Sequence, residues 1–196
     1  MLSNFRKSWE ETVFSKDVLL SLGKMQIHEE QLIVTIQIIY EDTDEVVQEW
    51  EVVCTNFKDH HLNVDYFGEF ITLLDDHPLL WDHNDELVEL FFKGKCEDIH
   101  QVVGDLFISQ WQLSEGKIPL EKFLNKHQKV ADLLREGQGL LSKGPKKLIK
   151  EHENVLLRHG YKTTLLDCVQ RNEKYKIFIC GESYIVAEDF RAIQIK

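Results

Sequence analysis

Little in this 196-residue chain would break a compact fold or anchor it in a membrane. Only three prolines and ten glycines occur. That excludes collagen-like, proline-rich and low-complexity architectures and predicts a chain folded almost end to end. No stretch approaches the roughly 18 consecutive apolar residues of a membrane-spanning helix. The longest apolar run, 32–40, is interrupted by Thr35 and Gln37. The opening residues Met1-Leu2-Ser3-Asn4-Phe5-Arg6-Lys7 lack the apolar core of a secretory signal, so the expectation is a soluble protein with a cytoplasmic address. Four cysteines stand at 54, 96, 168 and 180 with no C-x-x-C pair. Their spacing fits neither a zinc site nor a disulfide framework, and they are expected to be reduced and structural.

The motifs that define common chemistries are missing as well. Ser142-Lys143-Gly144-Pro145-Lys146-Lys147 is too short for a phosphate-binding loop and places proline where backbone N–H groups would cradle phosphate. Gly137-Gln138-Gly139 ends a helical pattern rather than opening one, so it is no dinucleotide fingerprint. No G-x-S-x-G elbow is present. Adjacent acids such as Glu97-Asp98 and Glu188-Asp189 are ordinary in so anionic a chain. No cofactor is implied, and an enzyme is not the favoured reading.

What the chain does have is core material and an uneven charge. Hydrophobic residues make up 43% of it, with four Trp, five Tyr and eleven Phe. A chain of this length hides roughly 70% of its unfolded surface, and it is long enough for one large domain or two small ones. The net charge is −11. Residues 1–100 hold 22 acidic against 7 basic side chains, whereas residues 101–196 hold 12 against 16. The contrast suggests either two lobes that attract each other or faces for different partners, beside a plain role in solubility.

Periodicity predicts an α+β fold. Phe5, Trp9 and Val13 recur every four residues behind Ser3, as on one face of a short helix. Val18–Leu22 followed by a Gly23-Lys24 turn leads into the clearest strand, Gln31–Tyr40, and after a polar loop its return, Val46–Thr55. Asn63 or Asp65 begins a helical rhythm in Tyr66, Phe67, Phe70, Ile71 and Leu74, which Pro78 stops. Residues 86–92 read as a strand and 97–111 as an amphipathic helix, with Ile99, Val102, Val103, Leu106, Phe107, Gln110 and Trp111 on one face. A boundary is expected at 114–117. Beyond it come a helix opened by Pro119, a second opened by Pro145, and closing strands near 163–170, 175–180, 184–187 and 191–195, with turns at 171–174, 181–183 and 188–190. The architecture expected is therefore an antiparallel β-meander with covering amphipathic helices, then a helix pair and a small C-terminal antiparallel β-meander. Its domains would be an acidic 1–115 and a basic 116–196, possible as one packed unit.

Three clusters invite a functional reading. Asp75, Asp76, His77, Asp82, His83 and Asp85, with His60 and His61 earlier, hold ligand chemistry; Asp75, His77, Asp82 and His83 are the candidate metal ligands. Pro78 prevents them from forming one helical ligand face, and turn chemistry explains the same residues. Trp81, between two acidic clusters, is a candidate partner anchor or a core residue. Lys146, Lys147, Lys150 and Arg158, with Lys143, form a basic segment suited to docking on an acidic protein surface; Glu151 and Glu153 interrupt it, and the anionic chain disfavours nucleic acid. The leading expectation is a non-catalytic binding or accessory protein that works through protein–protein contacts or self-association. The alternatives are a metal-dependent hydrolase built on the 75–85 cluster and weak nucleic-acid binding through 143–158. No membrane partner is expected.

Overall fold

The computed structural model describes residues 2–63, 67–68, 70–170 and 174–196. The chain begins with α1 (Leu2–Val13), then β1 (Val18–His28), β2 (Gln31–Tyr40), β3 (Val46–Thr55), β4 (Asp59–His61) and β5 (Ile71–Leu74). A 3-10 turn (Pro78–Leu80) leads to α2 (Trp81–Asn84), β6 (Leu87–Lys93) and α3 (Ile99–Ser114). A second 3-10 turn (Leu120–Lys122) precedes α4 (Val130–Glu136), β7 (Gln138–Pro145), α5 (Lys146–Arg158) and β8 (Lys162–Val169). The chain closes with β9 (Lys176–Cys180), β10 (Ser183–Ala187) and β11 (Asp189–Gln194). The class is α+β, and the strand pairings are antiparallel. Among the described residues no helix is long and apolar enough to cross a membrane.

Contacts divide the chain into two compact units, one formed by Met1–Asp76 with Lys174–Lys196 and the other by His77–Glu173. The first holds two four-stranded sheets, ordered β1-β2-β3-β11 and β4-β10-β9-β5. On β2 the alternation sends Leu32, Val34, Ile36 and Ile38 inward, as a period of two requires of a strand with one face on a core. They share that core with Trp50, Val52, Phe178, Ile185 and Phe190 from both sheets and with Phe5 and Trp9 of α1. The Phe5 and Trp50 rings lie 5.4 Å apart. Burying each such side chain contributes about 1.5–3 kcal/mol.

The second unit is a three-stranded sheet, β7-β6-β8, covered by helices. Val88, Leu90 and Phe92 face the core from β6, against Val102 and Leu106 of α3, Leu133 and Leu134 of α4, and Leu148, Ile149, Val155 and Leu156 of α5. One polar network crosses this core. His152 is fully buried, with Nε2 2.9 Å from Gln110 Oε1 and Nδ1 3.1 Å from Ser142 Oγ. The Gln110 amide in turn donates to the Ile118 carbonyl at 3.0 Å. With Gln110 Oε1 able only to accept, Nε2 carries the ring proton and Nδ1 accepts from the serine hydroxyl. Burial pushes the His152 pKa down to about 4.

Several expectations are corrected. Gly23-Lys24 is not a turn but a bulge within β1, where the register to β2 shifts between Leu22 and Lys24; the reversal comes at Glu29, in the left-handed region at φ 53°. Of the helix read over 63–74, residues 64–66 and 69 lie outside the described residues, and Ile71–Leu74 is a strand paired with β9. The helix expected from Pro119 gives way to the turn Leu120–Lys122, a bridge from Leu124 to Ser142, and the short α4. Gly137, read with Gly139 as a helix end, is the left-handed C-cap of α4, but Gly139 lies inside strand β7 (Gln138–Pro145); Gly144 is needed there because a Cβ would stand 2.5 Å from the Phe123 ring. Of the turn expected at 171–174, residues 171–173 lie outside the described residues. The boundary expected at 114–117 falls inside the second unit, at the end of α3.

Candidate functional site

The expected clusters are mostly absorbed into local structure. His77 caps the first 3-10 turn, its Nδ1 accepting from Leu79 N–H at 3.2 Å. Asp82 pairs with Lys122 at 3.2 Å, and His83 lies in the last turn of α2. Asp75 and Asp76 follow β5 in the first unit, while His77, Asp82 and His83 belong to the second. Asp85 reaches the start of α5, where its Oδ2 accepts from Lys147 N–H at 2.8 Å. That replaces the cap that Pro145 cannot supply from its own side chain. Among the described residues no three His, Cys, Asp or Glu side chains gather closely enough to hold a metal ion.

Trp81, read as either a partner anchor or a core residue, is 8% exposed and belongs to the second core, with Lys147 Nζ 5.7 Å above its ring. The basic segment is partly neutralised within the chain. Lys146 pairs with Glu86 at 2.6 Å and with Asp167 at 3.6 Å, and Lys143 with Glu89 at 2.8 Å. The hydrogen bonds to Glu86 and Glu89 are the main reason both ammonium groups are held above the usual lysine pKa. Arg158 donates to Ser109 Oγ at 3.4 Å, and Lys150 is exposed. The charge contrast also changes with the division of the chain. The first unit carries 19 acidic and 9 basic residues and the second 15 and 14, so the second is nearly neutral rather than basic.

A different surface emerges on α3. Its buried line is Val102, Leu106, Gln110 and Ser114, four residues apart. Phe107 and Trp111, expected on that buried face, are instead 50% and 55% exposed, and Ile108 is 51% exposed beside them. Sequence periodicity misses this because the apolar band of α3 is wider than the stripe its core contacts use. The Phe107 and Trp111 rings stack with centroids 5.9 Å apart and planes at 28°.

The helix ends hold this pair in place. At the N-terminus Asp98 Oδ1 accepts from Gln101 N–H at 3.0 Å, an N-cap that satisfies one orphan donor. At the other end Glu115 and Gly116 both adopt left-handed conformations, and Gly116 N–H donates to the Trp111 carbonyl at 2.9 Å. The chain then returns through Ile118, Pro119, Leu120 and Glu121, leaving a hollow of about 210 Å³ beside Phe107 and Trp111. The His152–Gln110 bond fixes the opposite side of the same helix turn.

The first unit has an apolar hollow of its own, about 630 Å³, where Phe14 and Phe70 are exposed between charged Arg6, Glu10, Lys16, Asp17 and Glu41. On α3, by contrast, two half-exposed rings are stacked on each other. No protein-family model, no curated protein and no solved structure matches the chain.

Proposed function

We propose that this is a non-catalytic binding or accessory protein that acts through protein–protein contacts, and that the contact is made by the α3 face around Phe107 and Trp111. The observation that carries this reading is the stacked, half-exposed aromatic pair on a capped helix. A large apolar ring left in water costs free energy that a partner recovers by covering it. Trp and Tyr, with Arg, dominate the binding energy of interfaces, and a ring held rigidly by its neighbours loses little entropy on docking. We take the compartment to be the cytoplasm, since all four cysteines are free thiols, the usual state in a reducing milieu.

The first partner to test is a second copy of the chain. Sedimentation of the full protein over a range of concentrations, at low and high salt, should show reversible self-association. An apolar contact persists at high salt, whereas one carried by the exposed lysines of α5 dissolves. Trp111→Ala should weaken the association at least about tenfold. A protein that stays monomeric at every concentration and captures no protein partner at either salt overturns the proposal. Equal association by wild type and Trp111→Ala removes α3 as the contact.

A further inference from the structure

Cys96, expected only as a reduced structural thiol, has specific company. It lies between β6 and α3, half-buried, with Sγ 4.0 Å from Nδ1 of His159 and 3.7 Å from the Asp98 carbonyl oxygen. His159 caps the C-terminus of α5, and its Nε2 lies 2.7 Å from Oδ2 of Asp105 on α3. A carboxylate can only accept, so Nε2 carries the ring proton and Nδ1 presents its lone pair to the thiol. Thiol, imidazole and carboxylate thus stand in the order nucleophile, base and orienting group. Cys96 lies two residues before Asp98, the N-cap of α3, and His159 is the C-cap of α5. Cys96 packs against the second core, which includes Tyr161, whose buried ring is edge-on to Phe92 at 5.4 Å. Burial raises the Tyr161 pKa.

We propose that Cys96 is a base-assisted thiol that exchanges with low-molecular-weight disulfides, His159 taking its proton and Asp105 positioning His159. The Cys96 S–H proton moves to His159 Nδ1 as the sulfur attacks one sulfur of the disulfide. The new S–S bond forms while the old one breaks, and the departing thiolate takes the proton back from His159. One thiol is oxidised and one released, so no external oxidant is needed. Exchange needs only a thiolate, a proton acceptor and access to one sulfur; acyl transfer would also need donors aimed at a developing oxyanion. The step is stoichiometric and goes beyond the binding role proposed above.

The test uses the full chain carrying Cys168→Ser, because Cys168 is exposed and lies near Lys143. Cys54 and Cys180 are buried, and burial pushes both thiols up to about 12, so they should stay silent in the folded protein. The probe is oxidised glutathione at neutral pH, with the mixed disulfide at each cysteine followed by peptide mass spectrometry. Native Cys96 should react faster than the same cysteine in the chain unfolded by denaturant, although unfolding exposes it more. His159→Gln should slow native Cys96 about tenfold, and Asp105→Asn should slow it by less. A native Cys96 slower than its unfolded form, or rates unchanged in folded His159→Gln and Asp105→Asn, overturns the proposal. Should His159→Gln fail to fold, Asp105→Asn and the native-to-unfolded ratio decide it.

Discussion

A Cβ on Gly116 would stand 2.8 Å from two carbons of the Trp111 indole, and the residue sits at φ 72°. Both facts oppose any side chain there: the left-handed region is costly for other residues, and the ring would have to move. Gly116→Ala should therefore cost about 1–2 kcal/mol and shift the tryptophan emission, read by denaturant unfolding and fluorescence; an unchanged melt and spectrum would contradict this account of the turn. His152 gives a second residue-scale prediction. Its folded pKa, about 4, is below the unfolded value of about 6.5, so the unfolded chain binds the extra proton between those limits. Its contribution to stability is complete above pH 6.5 and falls as the pH drops towards 4, by about 3 kcal/mol in all. Unfolding measured at pH 7 and pH 4.5 should show most of that loss, and His152→Gln should flatten it. Neither residue was legible as special in the sequence. Gly116 reads there as one member of a polar boundary, and His152 as one histidine in a basic segment, because their partners lie at Trp111, Gln110 and Ser142 and only folding brings these to them.

Elements with strong local periodicity were legible. The Leu32–Ile38 alternation makes β2, and the acidic start of α3 includes its true cap, Asp98. Asp98→Ala should cost about 1 kcal/mol, measurable by thermal melting, with fraying at the start of α3 and little change elsewhere. Asp85→Ala should cost a similar amount by uncapping α5, although Asp85 lies outside that helix and sequence reading treated it as part of a ligand cluster. Where tertiary contacts decide, local reading failed. Ile71–Leu74 has helical spacing with its neighbours but becomes a strand because β9 offers it an unpaired edge. The 138–145 segment, not read as a strand in the sequence, becomes one, and its glycines make room for Phe123 and Leu133 against β7.

The molecule as a whole is arranged as an insertion. The first unit is built from both ends of the chain, and the second occupies His77–Glu173 between them. A discontinuous unit leaves no boundary that composition along the chain could reveal, which is why the division near 114–117 and the acidic and basic halves do not coincide with the units. Leu74 of β5 is paired with Ile177 of β9, so the two junctions leave the first unit close together. Replacing 77–173 with a short turn should give a folded first unit, and 77–173 expressed alone should fold as well; circular dichroism and amide NMR check both, and a disordered product in either case would contradict the division.

The same β5–β9 pairing ties the stabilities of the two units together through chain entropy. Unfolded, the second unit becomes a loop of 97 residues that the β5–β9 pair must close. Closing a loop of that length instead of a few-residue turn costs about 3 kcal/mol. Whatever melts the inserted unit therefore weakens the sheet that carries it, and a ligand or modification that firms it up strengthens that sheet by the same linkage.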